Sequence, residues 1–186
     1  MMILEHFLLS VNETNCYVIA CSDTNEAAVI DPGEWNDQIS SFLSEHNLNL
    51  KLVLLTHSHH DHTGGLDGLR KEWNVAIAAS PKGSSPDREL ADGDIVEVGN
   101  LRIKVLETPG HTEDSLTFVI GCDVFCGDLM FAGSVGGVSD QESFDREICS
   151  IRDKILPLGD DMILHPGHGP ATTVQLERIF NPFLIP

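Results

Sequence analysis

The sequence predicts an α+β fold in which two mixed sheets pack face to face with helices outside them. Three observations lead there. Each half of the chain runs strands, helix, strand. The apolar run Leu50–Leu55 is too continuous for a strand with one wet face, so layers must cover it above and below. The second half sets short strands in close succession between residues 94 and 126. No linker or shift of composition divides the 186 residues, a length one domain fills, so residues 1–186 are read as a single domain.

Taken in order, Met2–Ser10, Cys16–Cys21 and Ala27–Asp31 alternate apolar and β-branched runs with turn residues and read as strands in hairpin order. Pro32 and Gly33 then make a turn. The stretch Glu34–His46 puts Ile39, Phe42, Leu43 and His46 at helical spacing. After the strand Leu50–Leu55 come a helix over Gly64–Trp73, a strand at Val75–Ala79 and a polar loop rich in Ser, Pro and Gly up to Ala91. Asp94–Val98, Leu101–Glu107, Ser115–Ile120 and Asp123–Cys126 supply the second sheet. A helix over Gln141–Ile155 follows, with Phe144, Ile148, Ile151 and Ile155 on one face. A strand at Met162–His165, a short helix at Thr173–Phe180 and a tail from Asn181 to Pro186 complete the chain.

Composition narrows the function. Lys plus Arg number 11 against 29 Asp plus Glu, a formal charge of −18, which repels phosphate backbones and anionic lipid at long range. Nucleic acid and membrane are therefore not expected as partners; a small molecule is. Met1–Ser10 carries no basic leader and no small-residue cleavage site, so no export signal is expected. The five cysteines, Cys16, Cys21, Cys122, Cys126 and Cys149, are odd in number and form no CxxC pair, which points to a reducing cytoplasm and core thiols rather than a disulfide framework.

The chemistry concentrates in Thr56-His57-Ser58-His59-His60-Asp61-His62-Thr63-Gly64-Gly65, directly after the buried strand. With 9 histidines in the chain, three at fixed places beside one Asp would arise by chance at roughly one start position in 100,000. Imidazoles two residues apart on an extended loop can converge on one cation, while Asp61 and His62, on the turn into the next helix, point towards a second. One loop supplies too few ligands for that. The other candidates, His111 in Pro109-Gly110-His111, Asp128 in Gly127-Asp128 and His168 in Pro166-Gly167-His168-Gly169, each sit in a Gly-rich bend after a strand. Taken singly each is a turn residue; beside the first loop they become ligand candidates. His60 occupies the variable position of the motif, His165 ends a strand, and His6 and His46 have no partners in the pattern.

These motifs, together with Thr14-Asn15-Cys16-Tyr17, Val29-Ile30-Asp31-Pro32-Gly33, the run Gly127–Gly136, Gly167–Thr173 and Asn181–Leu184, resemble the metallo-β-lactamase superfamily. Within it they resemble the hydroxyacylglutathione hydrolases (glyoxalase II), especially the short forms that lack a helical, glutathione-holding C-terminal region. The resemblance covers nearly the whole chain. It implies a four-layer αββα sandwich with two divalent metal ions at one end, zinc first, iron or manganese being acceptable to the same ligands. It places His57, His59 and His111 on one ion, Asp61, His62 and His168 on the other, Asp128 between them, and Asp31 in the turn beneath the ligand loop. Two divalent ions less two carboxylates and a bridging hydroxide leave roughly one positive charge, enough to bring bound water from a pKa of about 15.7 to roughly 7. The reaction implied is attack of that hydroxide on a thioester such as S-lactoylglutathione, with Asp61 orienting it and Asp128 bridging.

Where many members continue with Arg, Gly136 is here followed by Gly137, Val138 and Ser139, so the acyl and thiol parts of the substrate stay open. Other outcomes on the same scaffold are a persulfide dioxygenase with one Fe(II) on His57, His111 and Asp128, a lactonase, and a non-catalytic metal-binding module.

Overall fold

The computed structural model describes residues 1–83 and 85–185; Ser84, in the polar loop, and Pro186, at the end of the tail, lie outside the described residues. The opening strands β1 (Met2–Leu8), β2 (Asn15–Cys21) and β3 (Glu26–Ile30) form an antiparallel meander, as their turn residues predict. Helix α1 (Asp37–Glu45) crosses over to β4 (Asn49–Leu54), which lies parallel to β3. Asn36 caps α1 by accepting from the backbone N–H groups of Gln38 and Ile39, and Ile39 and Leu43 turn its apolar stripe onto the sheet.

The helix expected over Gly64–Trp73 begins earlier and is split into α2 (His60–Thr63) and α3 (Leu66–Glu72). The break lies where the chain presses on the Asp31-Pro32-Gly33 turn. The Gly65 N–H donates to the Pro32 carbonyl at 2.8 Å, and a Cβ on Gly65 would stand 2.4 Å from that same oxygen. Strand β5 (Ala76–Ala79) follows, and the loop expected up to Ala91 contains β6 (Arg88–Glu89), which adds to the sheet edge parallel to β5. The first sheet is thus β1-β2-β3-β4-β5-β6.

Strands β7 (Ile95–Val98), β8 (Leu101–Glu107), β9 (Leu116–Ile120) and β10 (Asp123–Gly127) run antiparallel in sequence, as expected. A small hairpin not foreseen from the pattern, β11 (Met130–Phe131) and β12 (Ser134–Val135), follows Asp128. Helix α4 (Gln141–Ser150), capped by Asp140, widens into a π turn over Ile151–Ile155 and ends in a short 3₁₀ turn with Pro157, which cannot continue the ladder. Then β13 (Ile163–Pro166) inserts parallel to β10, β14 (Thr172–Thr173) pairs with it, and α5 (Val174–Phe180) closes the layer. The second sheet is β14-β13-β10-β9-β8-β7.

Alternation along the strands builds four layers. Tyr17, Ile19, Ile30 and Leu54 face Ile103, Val105, Phe118 and Phe125 between the two sheets. Their neighbours Cys16, Val18, Val29 and Val53 pack outward on Ile39, Leu43 and Leu69 of the helices, and Val124, Cys126 and Leu164 pack on Ile148, Ile151 and Val174. This is the αββα arrangement. The segment after α5 is pinned rather than free: the Asn181 side chain donates to the Ser134 carbonyl at 2.9 Å and Leu184 joins the core. No helix among the described residues is long and apolar enough to cross a membrane.

Candidate metal centre

The ends of β3, β4, β10 and β13 open onto one edge of the sandwich, and each is followed by a chain segment carrying site candidates. His57 and His59 follow the end of β4, His59 in extended conformation, and Asp61 and His62 lie within the single turn of α2. His111 stands in the loop between β8 and β9, Asp128 directly after β10, and His168 two residues beyond β13. The seven side chains, far apart in sequence, come together as two groups: His57, His59, His111 and Asp128, and beside them Asp61, His62 and His168, with ligand atoms in each group within 4.8 Å of one another.

Asp128 stands where the groups meet. Its Oδ2 is 3.6 Å from His111 Nε2 and 3.4 Å from His168 Nε2, and its Oδ1 is 3.4 Å from His62 Nε2. Asp61 Oδ2 lies 3.4 Å from the same His168 nitrogen and accepts from the Asn12 side-chain amide at 3.1 Å.

Hydrogen bonds behind the rings decide which nitrogens carry lone pairs. The His111 Nδ1–H donates to the Gly137 carbonyl at 2.7 Å, which can only accept, so His111 Nε2 is bare. The His62 Nδ1–H donates to Asp31 Oδ2 at 3.0 Å. Thr56 Oγ1 donates to Asp31 Oδ2 at 2.6 Å and therefore accepts from His57 Nδ1 at 3.0 Å. Bare nitrogens of His57 and His111 thus lie 3.1 and 3.0 Å from His59 Nδ1. One proton on His59 cannot satisfy both, and lone pairs so close repel unless a cation lies among them. His62 Nε2 and Asp128 Oδ1 are also buried with no hydrogen-bond partner. The donor set therefore fits divalent metal: imidazoles and carboxylates already oriented from behind, with unsatisfied atoms turned inward.

Electrostatics separate the rings that are neutral before a cation enters from the one that carries a proton. Burial, with His62 adding to it, pushes the His57 imidazole well below its ordinary range, and burial also lowers His111, so both are neutral ligand forms at pH 7. Burial opposes a charge on His62, but Asp31 and Asp128 together raise it to about 10. Burial would raise the Asp128 carboxyl, yet His168 and His62 hold it well below the usual carboxylate range.

Asp31 sits beneath the loop as the resemblance implies. His60, His6 and His46 are exposed, and His165 pairs with Asp123 at 2.8 Å away from the centre. Cys16 and Cys126 are buried core thiols. Sequence reasoning did not single out Asn12, Thr56, the Gly137 carbonyl or Glu147, which is buried behind the His111 loop and whose carboxyl burial raises to about 8. For Glu147 a signal existed: it occupies a helix position between Phe144 and Ile148 on the apolar stripe, where a carboxylate is out of place.

Residues 9–168 match the family model described as "Metallo-beta-lactamase superfamily". The chain is 33% identical to hydroxyacylglutathione hydrolase GloC of Haemophilus influenzae, over 92% of this chain and 93% of that one. Among solved structures it superposes on BLEG-1 B3 metallo-beta-lactamase with a TM-score of 0.90 at 28% identity, covering 99% and 100% of the two chains. With TTHA1623 in a di-iron-bound form the TM-score is 0.83 at 28% identity, covering 97% and 100%.

Proposed function

The chain belongs to the metallo-beta-lactamase superfamily, and from that premise we propose that this metallo-hydrolase is binuclear and cleaves a thioester, of which S-lactoylglutathione or a related hydroxyacyl thioester is the first candidate. The observation that carries the reading is Asp128, one carboxylate within 3.6 Å of imidazoles in both donor groups. In this reading His57, His59, His111 and Asp128 would hold one ion and Asp61, His62 and His168 the other, with Asp128 lying where the two groups meet.

Bound there, divalent cations supply Lewis acidity, bringing the ionisation of water from about 15.7 to about 7 and polarising a carbonyl. The chain's own residues do the rest. Asp61, fixed by Asn12, orients the attacking water from the side of the second group. Asp31 keeps His62 and, through Thr56, His57 in the tautomer that faces inward. A thiol leaves as thiolate with an ordinary pKa of about 8.5, so no side-chain acid has to protonate it.

Zinc is the expected occupant, with iron and manganese acceptable to the same donors. Support for the thioester comes from the 33% identity to a hydroxyacylglutathione hydrolase over almost the full length of both chains. Turnover of S-lactoylglutathione, other thioesters, lactones, a β-lactam and glutathione persulfide should be measured on protein of known metal content. Thioester cleavage with two ions per chain is the expected result. Oxygen uptake with the persulfide and one iron per chain would replace this reading with a dioxygenase.

A further inference from the structure

Glu147 has no part in the centre as described, and its position is costly. It stands on α4 with 0% of its surface exposed, and neither carboxyl oxygen makes a well-formed hydrogen bond among the described residues, the backbone of Gly136 being the polar group that eases its burial. Its helix neighbours Ile148 and Ile151 are ordinary core residues. A methionine or leucine would fill the same space without a desolvated carboxyl, so packing alone does not account for it.

What it touches is informative. The Pro109–His111 loop lies on α4 so closely that a Cβ on Gly110 would come within 2.2 Å of Glu147 Cβ. From the other side, a Cβ on Gly136 would meet Glu147 Oε1 at 2.4 Å, the Asp128 carbonyl oxygen at 2.1 Å and His111 Cβ at 3.1 Å. The next residue, Gly137, offers the carbonyl that holds His111 Nδ1. Three residues further along α4, Ser150 Oγ donates to the Pro109 carbonyl at 2.7 Å and ties the same helix face to the same loop.

Resting on the reading of His111 as a ligand, we propose that Glu147 is a positioning residue for the three-imidazole half of the centre. Its carboxyl is the back wall against which Gly136 is set, while its Cβ and backbone bear on Gly110, and through Gly136 and the Gly137 carbonyl the carboxyl fixes the reach and ring plane of His111. The costly burial is then strain kept for function, which removal would relieve at the expense of the site.

The test compares wild type, Glu147→Gln and Glu147→Met. Zinc affinities come from competition with a chromogenic chelator, ligand geometry from the absorption spectrum of the cobalt(II) form, and stability from thermal melting. Glu147→Met is expected to melt at or above the wild-type temperature, to bind one of two ions roughly ten- to a hundredfold more weakly, and to change the cobalt spectrum. Glu147→Gln, which keeps the length and polar end, is expected to stay close to wild type. If Glu147→Met does not fold, Glu147→Leu carries the same comparison. Unchanged affinities and spectrum overturn the inference, as does equal loss at both sites together with a lower melting temperature, the mark of a plain core residue. Wild-type protein that binds no zinc sinks the metal-centre reading as well, whereas wild-type binding with an indifferent Glu147→Met sinks this inference alone.

Discussion

Asp31 Oδ2 accepts the Nδ1 proton of His62 at 3.0 Å, and the same carboxylate takes the Thr56 N–H at 2.8 Å and the Thr56 hydroxyl at 2.6 Å. One side chain therefore orients an imidazole in each donor group, His62 directly and His57 through Thr56. Asp31 has φ of 52°, a left-handed conformation that Asn also tolerates, so Asp31→Asn removes the charge with little backbone strain. The expected outcome is zinc binding weakened roughly 10- to 100-fold while the chain stays folded. A chelator-competition titration reads it, and unaltered affinity would mean that neither imidazole depends on the Asp31 charge.

Gly167 lets β13 pass close behind the centre. A Cβ there would stand 2.1 Å from Asp128 Oδ1 and 2.6 Å from His62 Cε1. Gly167→Ala therefore must push Asp128, His62 or the His168 loop aside. Since a misplacement of about 1 Å costs on the order of a hundredfold in rate, activity is expected to fall by about that factor. The urea midpoint measured alongside separates a displaced site from a globally weakened fold.

Most of this architecture was legible because it follows from alternation. Val18 and Ile19 take opposite faces of one strand and so announce two covering layers. The donors were legible because His57, His59, Asp61 and His62 crowd one loop after a buried strand, and because His111, Asp128 and His168 sit in Gly-rich bends at strand ends, where nothing in core packing asks for them. The hairpin Met130–Val135 was not, being two short pairs with no period to read, held by Glu177 accepting from the Gly133 N–H at 2.9 Å and by Asn181 donating to the Ser134 carbonyl at 2.9 Å. Those contacts come from about 45 residues further along the chain, and Glu147 is buried in part by the Gly110 loop, which precedes its helix with strands β9 to β12 between them, so no local pattern encodes either.

Metal loading is expected to release protons. Without a cation His62, raised to about 10 between Asp31 and Asp128, holds a proton at pH 7 that a metal on Nε2 must displace. The same shift sets a pH window for the metal-free chain. A histidine raised above its unfolded value of about 6.5 gives stability that is complete below that pH and lost as pH rises through about 10. His57 and His111, lowered by burial, act oppositely and withdraw stability as pH falls through and below about 6.5. Calorimetric zinc titrations in two buffers of different ionisation enthalpy should show release of about one proton or more at pH 7. Equal heats in both buffers would contradict the charge assigned to His62.

His59 and Asp128 separate catalytic loss from structural loss, because they differ in burial. His59 is exposed, and the hydrogen-bond partners of its ring among the described residues are His57 and His111, so His59→Ala should change stability by no more than about 0.5 kcal/mol. Asp128 is 8% exposed and faces His62, His111 and His168, so Asp128→Ala takes the counter-charge from a buried imidazole cluster and should cost the metal-free chain noticeably more. In turnover the order should vanish. If both groups act as one centre, removing a ligand of one or the carboxylate between them disables the same unit, and each variant should lose on the order of 10²-fold or more, with the double variant scarcely worse than either. Rates measured beside zinc content and thermal melting decide it. A His59→Ala chain that turns over normally would mean that the three-imidazole group is not where the reaction occurs.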